Sequence, residues 1–290
     1  SLLMRAGEPA GFAFAEAELT KKKKKGGLGK LMKSSSDEVD LRPALVTALV
    51  RAGGDEAKRV LRAATAAVEK GTWLETWIAI GLLELGDTSQ IALAKSALGN
   101  PEWAFTPVRI AEALALHGDY SGVPALDKLY ASAASGVEPD WGKAALAYLA
   151  GEGAEFETSE KARKARLIRL RQQIARALAE IDQPQCVPSL VTILGDAEPS
   201  VRIASAYGLG RMTTPDAASG MATAMGIDYD SDDGRSRNPV VQAHLVRAAN
   251  ARFSDHEAMP SLIEGGGASS DNSVRFLSLC VGKQEAVAAE

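Results

Sequence analysis

The sequence predicts an all-α fold laid out as an α-solenoid, a line of stacked helix pairs. Three observations carry this reading. The first is the stretch 187–212, VPSLVTILGDAEPSVRIASAYGLGRM. Val187, Leu190, Val191 and Leu194 fall at i, i+3, i+4 and i+7, one face of a helix. Gly195 and Asp196 end that helix, and Pro199 opens another, where its missing N–H would have had no partner. Val201, Ala204, Ala206, Leu209 and Met212 keep the apolar side of the second helix. The second observation is a period. Gly53, Gly86 and Gly118 each close a helical pattern at intervals of 33 and 32 residues, and Val123-Pro124 precedes Val187-Pro188 by 64. The third is composition: 46% apolar but 5% aromatic, with Ala and Leu dominant and no run alternating as a strand does. Two short helices cannot bury their apolar faces alone, so each pair needs neighbours on both sides.

The elements follow in order. Residues 2–19 repeat the order of residues 49–64, Arg-Ala-Gly, a polar turn, then an Ala-rich helix. The chain is therefore expected to open inside a repeat, truncated at its N-terminus. Residues 21–36, KKKKKGGLGKLMKSSS, form an insertion in which adjacent lysines repel and glycine and serine favour coil. Asp40 is placed to cap a helix ending near residue 52, with Pro43 in its first turn. Helices are expected over 55–69, 73–85, 89–98, 106–117, 121–134 and 140–150. A longer helix over 158–181 buries Leu167, Leu170, Ile174, Leu178 and Ile181. Further helices at 216–225, 239–252, 257–263 and 273–281 complete the array, and 226–238 is an Asp-rich insertion. A single solenoid is expected to span 1–290.

Val187-Pro188-x-Leu190, Asp196, Pro199, Val201-Arg202 and the Ala-rich run to Gly210 together resemble a HEAT repeat. The form is similar to the short Ala/Gly-rich repeats of bilin lyases and many bacterial scaffold proteins. This resemblance implies a right-handed superhelix of antiparallel helix pairs, with first helices convex and second helices concave. It would place Arg109, Arg202 and Arg275 on the second-helix layer. It also implies that Asp196 and Arg202 order adjacent repeats rather than act on a ligand.

Charge and chemistry narrow the function. A formal net charge of -4 and a pI near 5.6 give no global basic field for nucleic acid. No apolar run approaches the roughly 20 residues a membrane span requires. Cys186 and Cys280 are far apart in sequence, which fits a reduced, cytoplasmic setting. GGLGK in the lysine insertion lacks the spacing and the Ser/Thr of a phosphate loop. The histidines are His117, His244 and His256. His117, at a helix end, is placed where the dipole favours a cation. His256-Glu257 resembles one half-site of the His-Glu pairs that carry the di-iron centre of deoxyhypusine hydroxylases, but such a centre needs several pairs. Asp228, Asp230 and Asp232 alternate as in a calcium loop, yet Asp233 replaces the required glycine and Pro239 stands where the twelfth-position Glu belongs. Trp73 and Trp77, four apart on one helix, suit packing better than the base recognition of HEAT-like DNA glycosylases. Nothing local pairs a nucleophile with a base. No catalytic residue, metal or cofactor is expected.

The candidate partner-binding residues are the charged departures from the repeat. They are Lys21, Lys22, Lys23, Lys24 and Lys25; Arg163, Arg166, Arg169 and Arg171; and Asp228, Asp230 and Asp232. In the basic helix, Glu157 and Glu160 sit four residues before Lys161 and Lys164, the favourable order, but leave the arginines in excess. The expected function is a non-enzymatic scaffold or adaptor that binds another protein, an acidic one at the basic helix. One alternative is an accessory or lyase-type subunit acting on a bound pigment or protein substrate. Another is electrostatic binding to an anionic membrane or nucleic acid through the lysine run and the basic helix.

Overall fold

The computed structural model describes residues 8–21, 41–99, 106–138, 159–225 and 239–267. Among these residues there are thirteen α-helices and no strand, and the helices fall into two compact units.

The first unit holds α1 (Pro9–Thr20), α2 (Arg42–Ala52), α3 (Gly54–Ala67), α4 (Trp73–Glu84), α5 (Ile91–Ala97) and α6 (Thr106–Ala115). Helix α4 is its centre, packing on α2, α3, α5 and α6. Its sequence, WLETWIAIGLLE, is apolar on every side, as a helix must be when neighbours surround it. Leu74, Ile78 and Leu82 join Phe12, Leu19, Leu49 and Leu61 in one core cluster. Ile80 and Leu83 join Ala94, Ile110 and Leu114 in another. Thr72 caps α4 by accepting the Glu75 N–H at 3.4 Å. The buried Glu75 carboxylate in turn accepts the Gly71 N–H at 2.7 Å and Lys70 at 2.8 Å.

The helix expected over 89–98 divides into a 3-10 turn, Thr88–Gln90, and the shorter α5. The cause is Asp87, whose carboxylate accepts both the N–H and the hydroxyl of Ser89 and tightens the first turn.

The second unit holds α7 (Val123–Ala134), α8 (Glu160–Ile181), α9 (Cys186–Ile193), α10 (Pro199–Arg211), α11 (Ala217–Met225), α12 (Pro239–Phe253) and α13 (Met259–Gly267). Helix α10 packs between α8 and α12, while α11 packs between α9 and α13, giving two layers. The stripe expected on α8 is buried as read, with Ala175, Ala177 and Ala179 buried beside it. Ser205 of α10 donates its hydroxyl to the Leu190 carbonyl of α9 at 2.6 Å, tying one layer to the other.

The period is visible in the helix ends. Gly53, Gly86 and Gly118 have φ of 71°, 87° and 72°, where an L side chain is strained. Asp182 stands 64 residues after Gly118, two periods on, and ends α8 at φ 50°. Aspartate is one of the few side chains that visit this region. Here its carboxylate accepts the Thr213 N–H at 2.7 Å, the Thr214 N–H at 3.2 Å and the Thr213 hydroxyl, all in the turn after α10. The helices expected over 140–150 and 273–281, and the Asp40 cap, lie outside the described residues.

Candidate protein-binding surface

Three turns between helices carry the same device. Asp87, Asp119 and Asp196 each accept the backbone N–H two residues ahead, from Ser89 at 3.2 Å, Ser121 at 3.0 Å and Glu198 at 2.8 Å. Each also accepts a cation from 24 or 25 residues earlier: Arg62 at 2.7 Å, Lys95 at 2.9 Å and Arg171 at 2.7 Å. The turn is thus fastened to itself and to a preceding helix. Asp196 is the most enclosed of the three: its side chain is 0% exposed and that of Arg171 10%. The Tyr130 hydroxyl of α7 donates to Asp196 at 2.9 Å, and burial together with this carboxylate pushes that hydroxyl above the usual phenol range. Arg202 donates to the carbonyls of Asp196 and Ala197 at 2.6 and 3.1 Å. One aspartate therefore joins α7, α8 and the α9–α10 turn, and Arg202 secures the backbone of that turn.

The least buried member of the set, Asp119, gives a pH prediction. The Ser121 hydroxyl, Lys95 and the Ser121 N–H hold the Asp119 carboxyl down at about 2, from an ordinary 3.8. A lowered folded-state pKa contributes stability above the unfolded value that is lost as pH falls through the folded one. The midpoint of thermal unfolding should therefore drop between pH 4 and 2. Asp119→Asn should flatten part of that drop while leaving the pH 5–7 plateau level. An identical acid profile in the variant would contradict this assignment.

The four arginines of the basic helix are redistributed by the structure. Arg171 is buried on Asp196. Arg166 pairs with Glu138 at 2.7 Å. Arg163 pairs with Glu160 at 2.7 Å and donates to the Gly136 carbonyl at 2.8 Å. Glu160 thus serves Arg163, three residues on, in place of the expected Lys164. Arg169 is exposed. Lys21 is exposed and pairs with Glu18 at 3.5 Å. Lys22, Lys23, Lys24, Lys25, Asp228, Asp230 and Asp232 lie outside the described residues.

Beyond Arg169, the same side of the second unit holds cations that the sequence reading passed over. Gln172 and Arg176 of α8, with Ser200, Ile203, Tyr207 and Arg211 of α10, line a groove of about 230 Å³. Its floor is set by small residues: a Cβ at Gly208 would lie 3.1 Å from the Ala179 methyl, so the two helices approach closely. Tyr207 leads on to α12, its ring 4.6 Å from that of His244. Arg176, Arg211 and Arg247 are exposed, and Arg211 reaches Glu180 at 3.9 Å across solvent. The available signal was the joint composition of these helices: α8, α10 and α12 carry eleven Lys and Arg against two Glu.

The histidines and Trp77 take packing roles. His117 bonds the Leu83 carbonyl through Nε2 at 2.8 Å, a tertiary contact where a dipole effect was expected. The Nδ1 of His256 accepts the Ala258 N–H at 3.1 Å. The His244 Nε2 is buried without a partner among the described residues and abuts Gly210, leaving no room there for a Cβ. Burial, then Arg252 and Arg247, lower its pKa. Trp77 donates to the Pro43 carbonyl at 3.4 Å under the Arg109 guanidinium, which sits 5.3 Å from the ring centre and pairs with Glu84. Cys186 is buried, which pushes its thiol up to about 11 and keeps it unreactive at neutral pH. Among the described residues no three His, Cys, Asp or Glu side chains gather to hold a metal ion, and no helix is long and apolar enough to cross a membrane.

Residues 159–233, which run from the start of α8 past α11, match the family model of HEAT repeats. No curated protein matches the chain.

Proposed function

We propose that this chain is a non-enzymatic scaffold that binds another protein along its second-helix layer. In this reading the helix pairs within each unit are antiparallel and wind as a right-handed solenoid. The observation that carries the proposal is the α8–α10–α12 layer. Its helices are fixed from behind by buried contacts such as Asp196–Arg171 and Ser205–Leu190, while its outer side keeps an open groove and unburied cations. A rigid face of this kind lowers the ordering cost of association. The HEAT match over 159–233 supports the reading, since stacked helix repeats use such extended faces for recognition. The histidines support it as well, being committed to backbone and packing contacts.

The test uses the full chain as bait, followed by purification of whatever protein it retains and titration of the two by calorimetry. Saturable one-to-one binding that survives physiological salt is the expected result. Loss of every captured protein on purification, or turnover of a captured small molecule by the chain alone, would overturn the proposal.

A further inference from the structure

The net charge of the whole chain conceals a strong separation. Helices α8, α10 and α12 carry Lys161, Arg163, Lys164, Arg166, Arg169, Arg171, Arg176, Arg202, Arg211, Arg247 and Arg252 against Glu160 and Glu180, a formal +9. The chain as a whole is -4, so the remainder, its lysine run included, sums to -13. The facing helices contribute almost nothing: α9 and α11 contain no charged residue, and α13 contains only Glu264. Among the described helices of the second unit, the excess of cations thus falls in one layer.

Within that layer some charges are occupied. Arg171 and Arg202 serve the Asp196 turn, Arg163 and Arg166 meet Glu160 and Glu138, and Arg252 caps the Gly210 carbonyl. Arg169, Arg176 and Arg247 are exposed and make no ion pair among the described residues. Arg211 has only the long, exposed contact to Glu180, a kind of pair that contributes little. Arg176 and Arg211 flank a groove whose surface is Ile203, Tyr207 and small aliphatic residues, with Gln172 and Ser200 as hydrogen-bonding groups.

We infer that the α8–α10 groove, flanked by Arg176 and Arg211, docks an acidic peptide segment of a partner protein whose apolar side chains enter the groove. The inference rests on the scaffold reading above and adds the chemistry of the partner. The apolar slot favours a peptide over nucleic acid: Ile203 and Tyr207 between Arg176 and Arg211 suit acidic residues interrupted by apolar ones, and a guanidinium meets each carboxylate through two parallel hydrogen bonds.

The probe is a short fluorescein-labelled peptide of alternating glutamate and leucine, titrated into the full chain and followed by anisotropy. Arg176→Glu with Arg211→Glu should weaken binding by about tenfold or more, a loss of rim electrostatics next to a groove. Arg51→Glu with Lys128→Glu makes the same change in net charge at exposed positions on α2 and α7, outside the layer, and should leave affinity within about twofold. The milder Arg176→Gln with Arg211→Gln gives an intermediate loss and guards against misfolding, with helical circular dichroism as the check. Equal weakening by both reversal pairs would overturn the inference, because it would reduce the effect to net charge. Tighter binding of a duplex oligonucleotide than of the peptide would overturn it in favour of nucleic acid. Absence of peptide binding in a chain that still binds a purified captured protein would overturn the inference while leaving the scaffold reading intact.

Discussion

Asp196→Ala lowers the stability of the second unit by about 3–5 kcal/mol, the cost of leaving a buried charge without its partner. The carboxylate it removes takes three donors: Arg171, Tyr130 and the Glu198 N–H. Arg171 cannot turn to water without drawing α8 away from the turn, because it is buried and its Nε also donates to the Leu167 carbonyl at 3.4 Å. The comparison that isolates burial is Asp119→Ala. That residue has the same turn geometry and a lysine partner at 2.9 Å, but the pair is 46% and 21% exposed. Its loss should cost no more than about 1 kcal/mol, the range of exposed pairs. Urea denaturation of the two variants reads the difference directly. Similar midpoints for both would mean that Asp196 is not the fastening its burial implies.

Ile78→Ala should cost the first unit about 2–5 kcal/mol, through lost transfer energy and the cavity left behind. Ile78 is fully buried at the middle of α4, packed in the cluster that draws on α1, α2 and α3. Because α4 has neighbours on several sides, the cavity cannot close by one helix sliding inward. Phe14→Ala is the control, since Phe14 is 53% exposed on α1 and its removal should stay within about 0.5 kcal/mol. Calorimetric unfolding of the two variants gives the contrast. A small effect of Ile78→Ala would show that the first unit is loosely packed at its centre.

Much of the helical order was legible in the chain because helix burial follows spacing. The stripe from Leu167 to Ile181 and the opening proline of α10 could be read from residue positions alone. The glycine period was legible for the same reason, since a positive φ selects glycine. It failed at Asp182, where a side chain able to bond the Thr213 turn occupies the left-handed position instead. The site was harder to read because charge compensation is tertiary. Local rules see partners three or four residues away. The partners of Arg166 and Arg171 are Glu138 and Asp196, separated from them by 28 and 25 residues. Counting local acids therefore overstated the free charge in the first half of α8. It also missed Arg176, Arg211 and Arg247, which lie on three different helices and share a layer only through the packing of α8, α10 and α12.

The most direct test of a binding face on the α8–α10–α12 layer is site-specific photo-crosslinking within the full chain. A photoreactive amino acid is placed at Ile203, in the groove, or at Thr192, exposed on α9 of the other layer. Each variant is irradiated with the purified protein that the chain captures. The predicted result is a crosslinked species from position 203 and none from position 192. Crosslinking from 192 alone would place recognition on the opposite layer and contradict the proposed face.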